Sequence, residues 1–160
     1  TVKEQEKYVN ESIFNADADA FAISPIDPLG MRDFLDKTAK KALLVTLDSD
    51  APNSARVLYI GADNRDAGRQ AGELIKKALP KGGKIMAFAG RRTENAQERL
   101  AGLRESLLDS KVEIIDLMLD EMNTLKAEDN VTETVNKYPD VVGMVGLWGY
   151  SGPAIRSTTF

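Results

Sequence analysis

The residues best equipped for chemistry sit at the ends of short apolar runs. These ends read "SPID" (Ser24–Asp27), "LDSD" (Leu47–Asp50), "GADN" (Gly61–Asn64), "AGRRTEN" (Ala89–Asn95), "LDEMN" (Leu119–Asn123) and "LWGYSG" (Leu147–Gly152). They are rich in Asp, Asn, Arg and aromatic groups. That set suits a neutral ligand with many hydroxyls: carboxylates accept from hydroxyls, Arg and Asn donate, and an aromatic face covers the C–H side of a ring. It suits catalysis less well. The 160 residues include no His and no Cys, which excludes Ser-His-Asp and Cys-His nucleophiles, thiol chemistry and most zinc sites. An enzyme here would work with carboxylates, Lys, Arg or Tyr alone, and no pair of carboxylates stands out for glycoside hydrolysis. We assign no catalytic residue, no metal ligand and no cofactor.

The elements that position these ends can be read from periodicity. Apolar runs at Phe21–Ile23, Leu43–Leu47, Val57–Ile60, Ile85–Phe88, Ile114–Leu119 and Val141–Leu147 are short and mostly continuous, the pattern of strands buried on both faces of a parallel sheet. Between them lie helical stripes. Met31, Phe34, Leu35 and Thr38 form one, and Ala67, Ala71, Leu74, Ile75, Ala78 and Leu79 a second. Ala96, Leu100, Leu103 and Leu107 form a third, and Ala127, Val131, Val135 and Tyr138 a fourth. From Val57 onward strand and helix alternate, which predicts a doubly wound α/β sheet.

One stretch breaks the alternation. Asp48 to Arg56 leaves no room for a helix, whereas a parallel crossover within one sheet ordinarily takes a dozen or more residues. The expectation is therefore that the Val57 strand belongs to a different sheet. The chain then divides into residues 1–50, a connection at 51–56, and residues 57–160, with Asp48 to Asp50 at the mouth of a cleft between two lobes. Asp48, ending a buried strand there, is read as a ligand group; Asp50, Pro52 and Asn53 are read as connection structure. Trp148, the single tryptophan, is read as a ligand platform, flanked by Gly149, Tyr150 and Ser151. Asp27 and Asp63 read as caps, Gly68 and Gly72 as sites of close helix–sheet packing, and Asp116, Asp120 and Glu121 as a solvated strand edge.

The bulk numbers add exclusions. A net charge of −4 with mixed signs argues against a phosphate-backbone partner, so no nucleic acid is expected. No apolar run approaches the roughly 20 residues that span a bilayer, so no membrane insertion is expected. The opening "TVKEQEKYVNES" contains no apolar signal core.

Taken in order, "DADAFAISPIDP", "VTLDSDAP", "YIGADNRDAGRQAGELI", "KGGKIMAFAG", "NAQERLAGL", "NKYPDVVGMVGLW" and "GYSGPAI" make the chain resemble the type I periplasmic sugar-binding proteins of ABC transporters, the ribose-binding-like group. The resemblance implies two lobes, each a doubly wound parallel sheet and each incomplete here, closing on a monosaccharide without chemistry. It also implies delivery to an ABC transporter permease and a periplasmic or extracellular location. The family's ligand positions map to Asp48 with Ser49 beside it, to Arg99 of the "ERLAG" segment, to Met122 or Asn123 after the Ile114 strand, and to Trp148 at the end of the last strand; Tyr150, in the loop beside it, is read as a further ligand contact. The final "RSTTF" does not resemble the family's helix continuation, and half-lobes are expected to leave apolar faces bare. The other readings weighed are the effector domain of a sugar-responsive transcription regulator, which needs a helix-turn-helix, and a carboxylate-dependent glycoside hydrolase.

Overall fold

The computed structural model describes residues 1–16 and 18–159; Asp17 of the "DADAFAISPIDP" segment and Phe160 of "RSTTF" lie outside the described residues. Two compact units divide the chain, Thr1–Ala62 and Asp63–Phe160.

The first unit holds α1 (Val2–Ala16), β1 (Ala20–Ile23), α2 (Arg32–Ala39), β2 (Leu43–Leu47) and β3 (Leu58–Ile60). Its strands form a parallel sheet in the order β1-β2-β3. Leu44 and Ile23 pack against Val9 of α1 and against Met31 and Leu35 at and within α2, as the Met31 stripe predicts. Alternation turns Leu43, Leu58 and Ile60 the other way, onto an exposed face of the sheet, in keeping with the expectation of a bare apolar face. Helix α1 was not anticipated, although Val2, Val9 and Ile13 join this core at helical spacing.

The placement of β3 corrects the sequence reading. Val45, Thr46 and Leu47 pair in parallel with Leu58, Tyr59 and Ile60, so the Val57 run continues the first sheet and the break falls after Ala62, not at 51–56. The loop dispenses with a helix because its own polar groups satisfy it. Asp50 accepts from the Thr46 hydroxyl at 2.7 Å, from its neighbour's N–H at Ala51 at 2.8 Å, and from Arg56 Nε and Nη2 at 2.5 and 2.7 Å. Asp36 of α2 accepts the Ala55 N–H at 2.6 Å, and Ser54 donates to the Ala51 carbonyl at 2.8 Å. Ala51 itself is buried in the core. A loop with its backbone groups paired in this way can cross over a short distance without leaving orphaned donors. Asp50 is thus connection structure, as expected.

The second unit holds α3 (Asn64–Ala78), β4 (Gly83–Ala89), α4 (Glu94–Leu107), β5 (Val112–Leu119), α5 (Thr124–Lys137), β6 (Val141–Gly146) and α6 (Ser151–Thr159). Its parallel sheet runs β5-β4-β6. The central strand, β4, is buried from Ile85 to Ala89, and alternate residues serve opposite cores. Ile85, Ala87 and Ala89 face Leu100, Leu103 and Leu107 of α4 and Ile75 of α3; Met86 and Phe88 face Val131 of α5 and Ile155 of α6. Helices on both faces make this the doubly wound arrangement read from the sequence.

Three expectations about its helices change. Gly68 sits against the Arg99 carbonyl and Gly102 against the Arg65 carbonyl, so the glycines serve helix–helix packing of α3 on α4. That rotates α3 and leaves Leu74 66% exposed. In α5 the buried stripe includes Asn130 and Thr134 while Val135 is exposed; the Thr134 hydroxyl returns to the Asn130 carbonyl at 2.8 Å, so a polar residue is accommodated inside. Helix α6 runs through Ser157, Thr158 and Thr159, and each hydroxyl there folds back onto a carbonyl of the preceding turn, at 3.1, 2.9 and 2.7 Å.

Candidate functional site

In the second unit the connections from β4 and β6 leave toward opposite faces, α4 packing on one side and α6 on the other. Adjacent strands whose connections diverge leave a crevice at their carboxyl ends, the position where open α/β sheets bind ligands. Arg99, Trp148 and Tyr150 meet there.

Arg99 lies in the second turn of α4, which Thr93 caps by accepting from Ala96 N–H at 3.4 Å. Its Nε donates to Asn64 Oδ1 at 2.8 Å and its Nη1 donates to the Leu147 carbonyl at 2.7 Å. These bonds use two of five guanidinium donors and hold its plane across the start of α3 and the end of β6. Asn64 is the first residue of α3, fixed by the Asp63 cap that accepts from Asp66 N–H at 2.8 Å, as read from the sequence.

Trp148 follows directly on buried Leu147 and packs its half-buried ring against the α4-side core. Tyr150 meets it edge-on, with centroids 6.0 Å apart and planes at 85°. Gly90, at the end of β4, leaves room for both: a Cβ there would lie 2.5 Å from the indole and 2.6 Å from the Tyr150 hydroxyl. Tyr150 donates its hydroxyl proton to Asp120 Oδ1 at 2.5 Å. Burial, then the bond to Asp120 and its negative charge, push the phenol well above the ordinary tyrosine range, so it stays a donor.

The sequence places Asp120 on a solvated strand edge, but the structure buries it, at 1% exposed. Its Oδ1 also accepts from Met122 N–H at 2.9 Å. Glu121 and Met122 both take positive φ, 56° and 66°, and that tight turn brings the backbone back onto the carboxylate. Met122 is 57% exposed. The oxygen of Asn123 caps α5, accepting from Leu125 and Lys126 N–H at 3.0 and 3.2 Å. Asn123 therefore serves first as a helix cap. The sequence marks the strand ends that hold Gly90, Asn64 and Asp120 but singles out none of the three as a site residue; Asp120 follows β5, an edge strand of the sheet.

In the first unit, Asp48 ends β2 at a φ of 56°. Its N–H donates to the Ile60 carbonyl at 3.0 Å, and the Tyr59 hydroxyl lies 2.9 Å from its own carbonyl. Its side chain is exposed, with Ser49 half-buried beside it. A left-handed residue at a strand end turns its side chain out of the sheet's alternation, and Asp tolerates this better than most residues. Asp27 accepts from Gly30 N–H at 3.0 Å and stabilises the turn before α2, whose cap position is Met31.

Comparison with known proteins places these elements in context. Residues 1–158 match the family described as "Periplasmic binding protein domain". A D-ribose/D-allose-binding protein of Pseudomonas aeruginosa is 26% identical over 144 residues, 84% of this chain and 45% of its own length. Among solved structures, an ABC transporter solute-binding protein of Burkholderia graminis in complex with D-arabinose superposes with a TM-score of 0.92 at 25% identity, over 99% of this chain and 55% of that one. A sugar-binding protein of a sugar ABC transporter from Bacillus halodurans gives a TM-score of 0.88 at 24% identity, over 99% and 55%. The chain thus spans about half the length of the relatives it matches.

Proposed function

Because the chain belongs to the periplasmic binding protein domain family, we propose that it serves as the ligand-binding part of a monosaccharide receptor and carries out no chemistry of its own. The observation that carries the proposal is the meeting of Arg99, Trp148 and Tyr150 at the adjoining ends of β4 and β6. A guanidinium fixed by two bonds can offer its other donors to sugar hydroxyls or a ring oxygen, and an indole covers the ring's C–H face. From the first unit, Asp48 and Ser49 accept from hydroxyls; carboxylate–hydroxyl bonds are charge-assisted and select strongly against an analogue lacking the hydroxyl. Met122 and Asn123 stand at the β5 end as further contacts. The relative named for D-ribose and D-allose and the solved structure in complex with D-arabinose support a pentose or hexose as the ligand class. Delivery to an ABC permease, from a periplasmic or extracellular location, is part of the same proposal; among the described residues no helix is long and apolar enough to cross a membrane.

The test is calorimetric titration of Asp48→Ala in the full-length protein. Loss of one charge-assisted contact weakens sugar binding by about tenfold or more, about 1.4 kcal/mol, while circular dichroism stays unchanged. Unchanged affinity removes Asp48 from the site.

A further inference from the structure

A buried carboxylate with a defined tie to each neighbouring loop is not explained by sugar contact. Asp120 closes β5, and its backbone N–H donates to the Ala89 carbonyl at 3.2 Å, at the end of β4. Glu121 N–H donates to the Gly90 carbonyl at 2.8 Å. The carboxylate receives the Met122 N–H and the Tyr150 hydroxyl on one oxygen. Among the described residues the β5 loop is therefore fastened to β4 by its backbone and by the Arg91–Glu121 ion pair, and to the β6 loop by the Asp120–Tyr150 bond. Tyr150 in turn stands edge-on to Trp148, and Gly90 leaves no slack beneath them.

We infer that Asp120 and Tyr150 are positioning residues: their hydroxyl–carboxylate bond fixes the Tyr150 ring, and that ring fixes the plane of Trp148. The bulk of Trp148 rests on the core, but its orientation about the side-chain axis is set by the edge contact and by the bare surface of Gly90. Without the bond the half-buried phenol ring can withdraw from its place and the indole gains room to turn. That Trp148 then meets a sugar rests on the function proposed above; the positioning itself does not.

The experiment separates the two. Trp148 is the only tryptophan in the 160-residue sequence, so its emission and acrylamide quenching report its setting without any ligand. In Tyr150→Phe the ring is kept and only the hydroxyl is lost. The expected result is a shifted emission maximum and a rise in quenching of about twofold, as the edge contact loosens, with far-UV circular dichroism unchanged. Unchanged emission and quenching overturn the inference, because ring packing alone would then hold the indole. If Tyr150→Phe fails to fold, Asp120→Ala decides: it removes the acceptor and keeps the Tyr150 ring and hydroxyl, so a Trp148 shift in the same direction supports the inference and no shift overturns it. Titrating both proteins with D-ribose, D-allose and D-arabinose then tests the functional reading. Weaker sugar binding by Tyr150→Phe, by about tenfold, supports both. A Trp148 shift in a protein silent toward every sugar supports the positioning pair and removes the sugar.

Discussion

Asp50 holds a helix-free crossover together, and its removal has a calculable cost. Asp50→Ala strips the acceptor from the Thr46 hydroxyl, the Ala51 N–H and the Arg56 guanidinium at once. Thr46 is fully buried, so its hydroxyl is left with no acceptor, at about 1–3 kcal/mol. Arg56 is half-buried and recovers part of its loss from water, so the ion pair adds about 1–2 kcal/mol. The Ala51 N–H lies at the loop's inner side and adds a further fraction. The sum is about 2–5 kcal/mol for the first unit. Hydrogen–deuterium exchange read on peptides from residues 43–62 measures it, with peptides from β4 and β5 as the internal control. Thr46→Val supplies the decisive cross-check. Alone it costs about 1 kcal/mol, but in the Asp50→Ala background it removes the orphaned hydroxyl and restores about 1 kcal/mol. If Asp50→Ala leaves exchange in residues 43–62 at the wild-type rate, or Thr46→Val adds its full cost in that background, the reasoning is wrong.

Further outcomes follow from the same geometry. Burial alone would raise the Asp50 pKa, but the Arg56, Thr46 and Ala51 hydrogen bonds outweigh it and hold the carboxyl below its usual value; the stability it contributes is present above the unfolded value of about 3.9 and is lost as pH falls through the lower folded value. The exchange difference between wild type and Asp50→Asn should therefore be constant at neutral pH and shrink in acid. Gly102→Ala drives a methyl into the Arg65 carbonyl and should cost about 1–3 kcal/mol or more, read as an earlier urea midpoint by Trp148 emission. Asp48→Gly relieves the positive φ and should hold or raise stability by a few tenths of a kcal/mol to about 1 kcal/mol while sugar affinity falls; a gain in both would contradict the ligand role. Absorbance at 295 nm should show a phenolate step above the ordinary tyrosine range that Tyr150→Phe removes.

What the sequence disclosed was what apolar periodicity encodes. The α4 stripe of Ala96, Leu100, Leu103 and Leu107 is buried as read, and β4 shows the unbroken apolar run of a central strand. What it withheld turned on residues whose packing is not hydrophobic. Gly68 and Gly102 bury backbone rather than side chain and so rotated α3 away from its apparent stripe. Thr134 is buried because its hydroxyl finds a carbonyl one turn back. The crossover before β3 needed no helix because one carboxylate gathers its donors, a tertiary fact that loop length does not carry. Asp120 looked like surface charge among Leu117, Leu119 and Glu121, and only the fold brings Tyr150 across to it. Arg99 and Trp148 were legible as types and segments; their meeting at the β4–β6 ends depends on the strand order β5-β4-β6.

The most direct test of the central claim is calorimetric titration of the full-length protein with D-ribose, D-allose and D-arabinose, alongside Arg99→Met. The account predicts saturable heat with at least one of the three sugars, and a loss of about tenfold or more in affinity when the Arg99 guanidinium is replaced. No heat with any of them from a folded protein, or undiminished affinity in Arg99→Met, would contradict it.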